Sequence, residues 1–143
     1  MGRGPEKTLV DNYLHRLPWQ AEITEFEIKK PARTAELRKA QEAEKLLAAI
    51  PLGAAIVVLD ERGKTLSSRE FAGKIDTWAG EGISTTVFII GGADGLDESI
   101  RKKAHLILGF GSLTWPHMLA RVMLCEQIYR AWSIGTGHPY HRD

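Results

Sequence analysis

The sequence predicts an α/β protein built on a parallel sheet. Segments with apolar residues every three or four positions, which favour helices, alternate with short apolar runs typical of strands. The run at residues 54–59 is almost continuously apolar, as expected of a parallel strand covered on both faces. The chain has 143 residues, 43% apolar and 26% charged, a composition that suits one compact domain. We therefore expect a single domain over residues 1–143.

The first half of the chain is expected to hold two helices and two extended segments. Helical spacing predicts helices over residues 8–17 and 37–50, with prolines marking their ends. Three apolar residues between them predict a strand-like segment: Ile23, Phe26 and Ile28. The run at 54–59 is the next strand, and Asp60 follows at its carboxyl end.

The second half begins with the capping-box pair Ser67 and Glu70, which predicts a third helix. A β-branched run then predicts a strand over residues 85–90. Beyond it the pattern predicts a short helix capped by Asp97, a strand over residues 106–110, and a final helix from about residue 117 to about residue 133.

The final helix carries apolar residues on more than one stripe. One sheet face cannot bury them all, so either a second copy of the chain covers the helix or it lies deep in its own core. Cys125 lies among these residues, and we interpret it as a buried structural thiol. A single cysteine, and the lack of any leader-like or membrane-length apolar run, predict a cytoplasmic protein without a membrane partner.

The formal charge of +1 means that any nucleic-acid partner must be met by a local cationic patch. The candidate patches are Lys29 and Lys30 with Arg33, and residues 101–103, although each is also what a solvated surface looks like. A domain so close to neutral is not expected to select naked RNA by electrostatics.

Three segments are predicted to meet at the carboxyl edge of the sheet, where open parallel sheets bind ligands. They are residues 59–60, 91–95 and 109–117. Their glycines allow a ligand to approach the backbone closely, although a tight strand-to-helix turn would also explain them. They form neither the dinucleotide fingerprint nor a phosphate-binding loop, so redox cofactors and nucleoside triphosphates are not indicated.

The last seven residues are unusually rich in functional groups: His138, Tyr140, His141 and Arg142. If docked, such a tail can exchange protons, bind anions and stack on a base. A metal site from His138, His141 and His117 is the alternative. No cysteine or carboxylate at diagnostic spacing supports it, so we expect no metal.

Five ordered motifs closely resemble the RlmH family, bacterial large-subunit rRNA pseudouridine N3-methyltransferases of the SPOUT superfamily. They are residues 89–96, 113–117, 120–122, 126–134 and 138–142. The resemblance covers nearly the whole chain. It implies a Rossmann-like α/β fold with a C-terminal trefoil knot over residues from about 85 to 143, and a homodimer.

The resemblance also implies S-adenosylmethionine as cofactor and assigns the site residues. The cofactor-binding positions are Leu59, Asp60, Gly91, Gly92, Gly111, Ser112, Leu113, Thr114, Trp115 and Pro116. The catalytic positions are His117, Tyr140, His141 and Arg142, and substrate is contacted by His138 and Arg142. The implied reaction methylates N3 of a pseudouridine in 23S rRNA of the assembled ribosome. Rival hypotheses are a ribosome-binding assembly factor without catalysis and a flavodoxin-like small-molecule binding module.

The chain departs from the family pattern at Trp115 and Met118, where the family has a leucine-like residue and usually a proline. It also lacks the apolar strand that opens the family's sequences. Loss of a strand would leave backbone groups or an apolar helix face uncovered. We therefore expect the natural start to lie upstream, or the sequence to be truncated.

Overall fold

A computed structural model describes residues 4–92 and 94–143. Its helices and strands, in chain order, are α1 (Pro5–Arg16), α2 (Ala35–Ala49), β1 (Ala55–Lys64), α3 (Ser68–Gly80), β2 (Thr86–Ile90), α4 (Glu98–Lys103), β3 (Leu106–Leu108) and α5 (His117–Thr136). They form two compact units. The sheet unit comprises Glu25–Thr65 and Gly82–Leu113, and the helical unit comprises the described residues up to Thr24, Leu66–Glu81 and Thr114–Asp143.

The sheet unit is built on three parallel strands in the order β2-β1-β3. Residues 55–58 of the central strand are all buried, as the continuous apolar run predicts. Leu59 pairs with Ile90 on one side and with Leu108 on the other, so the carboxyl ends of all three strands meet at one edge. This confirms the predicted small parallel sheet.

Helices α2 and α4 cover one face of this sheet. Their buried residues Ala43 and Ile100 pack with Ile56, Val58 and Ile89 of the strands. Thr34 caps α2 by accepting a hydrogen bond from the amide of Leu37, and Asp97 caps α4 in the predicted way. Both helices thus begin where short polar side chains satisfy their first free amides.

In the helical unit, α1 and α3 both pack on α5. The predicted capping box is present: the Ser67 hydroxyl accepts from the amide of Glu70, and the Glu70 carboxylate accepts from the amide of Ser67. Cys125 is buried, and burial raises the pKa of its thiol to about 11. A thiol that stays protonated at neutral pH is a poor nucleophile, in line with its structural interpretation.

Two strand predictions are wrong, and β3 ends at Leu108 rather than at residue 110. Residues 21–28 form no strand, and Ile23 and Phe26 are 43% and 39% exposed. Instead, α2 binds the backbone that follows this segment: the side-chain amide of Gln41 accepts from the amide of Ala32 and donates to the carbonyl of Lys30. The central strand was expected to end at residue 59 but continues to Lys64, because Lys64 also pairs with Leu108 of β3.

The final helix is longer than predicted and is only partly covered by its own chain. Its buried residues are Leu124, Cys125, Tyr129, Ala131 and Ser133. Val122, Met123 and Ile128 are half-buried, and Leu119 is 43% exposed. None of the helices within residues 4–92 and 94–143 is long and apolar enough to cross a membrane.

Candidate active site

The carboxyl edge of the sheet is shaped by Asp60, which begins a bulge between the two points where β1 pairs with Leu108. One carboxylate oxygen, Oδ1, accepts from the backbone amide of Arg62 at 2.8 Å, and the other, Oδ2, accepts from the Arg101 guanidinium. Partial burial works to raise the pKa of Asp60, but the Arg62 hydrogen bonds and the charge of Arg101 outweigh it, so the pKa is lowered. Asp60 is therefore an ionised anchor of this edge.

Glycines allow close backbone packing beside this bulge. A Cβ on Gly63 would lie 2.6 Å from the carbonyl oxygen of Ile107, and one on Gly109 would lie 3.1 Å from the carbonyl oxygens of Asp60 and Gly63. The chain segment leaving β3 is thus pressed against the segment leaving Leu59. Only residues without a side chain permit that approach.

The glycine loop after β2 makes a turn in which the amide of Gly95 donates to the carbonyl of Gly92 at 3.0 Å. Gly95 has φ +85°, a conformation that favours glycine. Gly91, one of the predicted cofactor-binding residues, lies against Leu96, and a Cβ on Gly91 would come within 2.7 Å of the Leu96 side chain. Ala93, inside the loop, lies outside the described residues.

Helix α2 holds this loop from outside at two points one helical turn apart. Glu42 accepts a hydrogen bond from the amide of Gly92 at 3.2 Å. Arg38 forms a two-pronged ion pair with Asp94, at 2.8 and 3.1 Å, and donates to the carbonyls of Ala32 and Arg33. A hydrogen bond to Arg38 lowers the pKa of Asp94. The loop conformation thus depends on α2, a dependence that the glycine motif alone does not reveal.

The remaining predicted cofactor positions follow β3. Gly111, with φ +92°, Ser112 and Leu113 end the sheet unit, and the Leu113 side chain is 69% exposed. Thr114, Trp115 and Pro116 begin the helical unit, and Trp115 is 38% exposed. Pro116 has an extended ψ of 143° and precedes the first residue of α5, His117, as its position in the sequence predicts.

The C-terminal tail is docked on its own helical unit. Gly137, with φ +74°, ends α5, and the amide of His138 donates back to the carbonyl of Ser133 at 2.9 Å, the pattern of a Schellman motif. Beyond it, the Tyr140 ring meets Tyr129 edge-on at 4.7 Å, and the Arg130 guanidinium lies 4.9 Å from its centre. These contacts turn the chain back onto α5.

Tyr140 is a hydrogen-bonding phenol rather than a phenolate at neutral pH. Burial raises its pKa to about 12, assisted by a hydrogen bond with Tyr13 and by the negative charge of Glu126. His138 next to it accepts a hydrogen bond from the Tyr140 amide at 3.2 Å and packs on the Trp132 ring at 5.3 Å.

His141 lies in a chain of charged side chains. Arg130, itself paired with Glu126 at 2.7 Å, donates to Nδ1 of His141 at 3.0 Å. Nε2 of the same ring lies 2.9 Å from Asp143. Because a guanidinium only donates, Nδ1 must be the acceptor and the proton of the neutral ring resides on Nε2, facing Asp143.

Asp143 is the last side chain in this series of contacts and forms a two-pronged ion pair with Arg69 of α3, at 2.6 and 2.7 Å. The Arg69 hydrogen bonds, followed by the one to His141, lower the pKa of Asp143 to about 2. Arg142 therefore lies between two anchored residues. Its own side chain is exposed and makes no ion pair with the described part of the chain.

His117 differs from His141 in its surroundings. It is exposed at the first position of α5, and its ring has no hydrogen bond to any residue within 4–92 and 94–143. Across those ranges, no cluster of three histidine, cysteine or carboxylate side chains is placed to hold a metal ion.

The sequence analysis did not identify the residues whose side chains hold the predicted site residues in place. The spacing of Glu126 and Arg130, four apart on a helix, was a usable signal. Arg69 with Asp143, and Arg38 and Glu42 with the glycine loop, are separated by 50 or more residues and left no local pattern.

Comparison with known proteins defines the class. The family model described as "Predicted SPOUT methyltransferase" matches residues 1–141. The glycine loop and the strand-end edge described above lie within this match, as does the tail up to His141.

Curated relatives narrow the assignment. The chain is 50% identical over 139 residues to ribosomal RNA large subunit methyltransferase H of Rhodospirillum centenum, covering 97% of this chain and 91% of the relative. The protein of that name from Paramagnetospirillum magneticum is 48% identical, with the same coverage. The chain therefore belongs to the RlmH family of SPOUT methyltransferases, enzymes that take their methyl group from S-adenosylmethionine.

Proposed function

We propose that this methyltransferase acts on large-subunit ribosomal RNA, at N3 of a pseudouridine in the assembled ribosome. The relatives' names support the RNA substrate. The observation that carries the finer proposal is the docked tail, which presents Arg142 between two anchored residues. A cation held between anchored neighbours suits a substrate that reacts as an anion, as the N3 imide of pseudouridine does.

The residues at the sheet edge fit S-adenosylmethionine. A Cβ on Gly91 would meet Leu96 and one on Gly92 would meet Glu42, so glycine at both positions lets the loop pack closely against these side chains. Leu59 and Leu113 offer apolar surface, and Gly111 to Leu113 supply backbone groups for an adenine edge. When bound, the cofactor supplies an electrophilic methyl group. The protein's own tasks are to orient the donor and to activate the acceptor.

Activation of the acceptor requires removal of the imide proton. His141 is poorly placed for this, because its Nδ1 already accepts from Arg130 and its Nε2 carries the proton. His117, whose ring is exposed and without a hydrogen bond among the described residues, is the better proton acceptor. In this proposal Arg142 stabilises the imide anion, Tyr140 contacts the base, and His141 holds the tail.

The glycine loop yields a test of cofactor binding that needs no RNA. Glu42→Ala removes the acceptor of the Gly92 amide, and loss of such a hydrogen bond costs on the order of 1 kcal/mol. We expect S-adenosylhomocysteine to bind roughly three- to tenfold more weakly in isothermal titration calorimetry. Glu42→Gln keeps an acceptor oxygen and should bind almost as the native protein does. Glu44→Ala, on an exposed position of the same helix, is the matched control, and equal affinity in all variants would contradict this assignment.

We also propose a homodimer and a trefoil knot formed by residues from about 85 to 143. The half-buried apolar side chains of α5, together with exposed Leu119, support a partner surface on that helix. In a dimer, the tail of one chain can act on the cofactor of the other. Light scattering should give a mass near twice the 15.9 kDa of one chain, and a mass of one chain at micromolar concentration would contradict the dimer.

The direct test of substrate class uses labelled S-adenosylmethionine with unmethylated whole ribosomes, isolated large subunits and protein-free rRNA. Because the chain carries a net charge of only +1, we expect assembled ribosomes in the cytoplasm to be the preferred substrate. Ribosome binding without any transfer of label would instead favour the assembly-factor hypothesis.

A further inference from the structure

Arg16, in the last turn of α1, lies over two aromatic rings. Its guanidinium carbon lies 5.6 Å from the centre of the Tyr13 ring and 5.7 Å from that of Tyr129. A cation–π contact does not use the N–H groups as hydrogen-bond donors to a partner atom, so they stay available. The side chain is exposed and forms no ion pair or hydrogen bond within the described ranges.

Five other arginines are paired with carboxylates: Arg38, Arg62, Arg69, Arg101 and Arg130. Arg16, like Arg142, has no such pair among the described residues. The charge of Arg16 is thus available to a ligand. Because two rings already restrict its side chain, less conformational entropy is lost when a ligand binds. A restrained guanidinium with free N–H groups is suited to the two-pronged recognition of a phosphate.

The rings beneath Arg16 also hold the tail. Tyr129 packs edge-on against Tyr140, and Tyr13 forms a hydrogen bond with the Tyr140 phenol. His138 and Trp132 extend the same aromatic cluster, with ring centres 5.5 Å apart for Tyr129 and Trp132. Arg16 on α1 and the rings of Tyr140 and His138 in the tail therefore share one set of contacts inside the helical unit.

We propose that Arg16 is an RNA-binding residue that contacts a phosphodiester near the target nucleotide. This rests on the proposed rRNA substrate. The low net charge adds weight to the proposal, since a protein at +1 must draw its attraction to RNA from a few well-placed cations. Arg16 would act in binding, ahead of the methyl-transfer step.

The test measures ribosome affinity as a function of salt for the 143-residue protein. Arg16→Ala should weaken binding about five- to tenfold and reduce the slope of log affinity against log salt by about one, the signature of one lost phosphate contact. Arg16→Lys keeps the charge and should keep the slope. Lys7→Ala is the matched control, because Lys7 on the same helix is already paired with Asp11 at 2.6 Å.

S-adenosylhomocysteine binding should be unchanged in all three variants, which shows that the fold and the cofactor site are intact. An unchanged slope in Arg16→Ala, or a slope lost equally in Arg16→Lys, would overturn the proposal. Should the native protein bind ribosomes without methylating them, the proposed reaction would fail, while the salt slopes would still decide the role of Arg16.

Discussion

Arg142→Ala is expected to lower kcat for methyl transfer about 100- to 1,000-fold, the usual loss when one donor to a developing anion is removed. The flanking residues His141 and Asp143 hold the backbone on both sides of Arg142 through Arg130 and Arg69. The mutation therefore deletes a charge without releasing the tail. Single-turnover methylation of ribosomes measures the effect.

Cofactor affinity distinguishes this role from a general loss of structure. S-adenosylhomocysteine should bind Arg142→Ala as it binds the native protein. Lys74→Ala, which removes an exposed cation of α3, should retain native activity. Equal losses in methyl transfer and in cofactor affinity would contradict the assignment of Arg142 to the substrate.

His117→Ala is expected to lower kcat about 100- to 10,000-fold if this ring takes the imide proton. The native rate should depend on hydroxide less steeply than the rate of the variant does. In the variant, the remaining rate should keep rising in proportion to hydroxide, because only solvent then removes the proton. A pH profile of single-turnover rates provides the measurement.

His141 supplies the comparison for this prediction. His141→Asn can keep an acceptor for Arg130, and a donor for Asp143, so it should preserve part of the tail contacts and much of the activity. If His141→Asn instead acquires the hydroxide-dependent profile while His117→Ala keeps the native one, the proton acceptor is His141, and its bond to Arg130 must break during the reaction.

Local patterns predicted those elements whose stabilising contacts are local. The Ser67 and Glu70 capping box satisfies its own backbone within four residues, and the sequence places it correctly. The apolar run at 54–59 could be identified as a buried parallel strand because burial on both faces leaves no alternation.

The errors and omissions arise where the contacts are distant in sequence. Residues 21–28 have strand-like spacing but find no partner strand, and α2 side chains bind the backbone that follows. The extension of β1 to Lys64 depends on Leu108, more than 40 residues away. The functional groups of the tail could be identified from the sequence. Its docking could not, because it depends on an ion pair between Arg69 and Asp143, which no spacing rule connects.

The central claim, methylation at N3 of a pseudouridine in large-subunit rRNA, is tested most directly by mapping the product. Ribosomes lacking the modification are incubated with the protein and isotope-labelled S-adenosylmethionine, and the rRNA is digested and analysed by tandem mass spectrometry. The account predicts one labelled methyl group, attached to N3 of the base of a single pseudouridine. Label on another nucleotide, on small-subunit rRNA or on ribosomal protein, or no label at all, would contradict it.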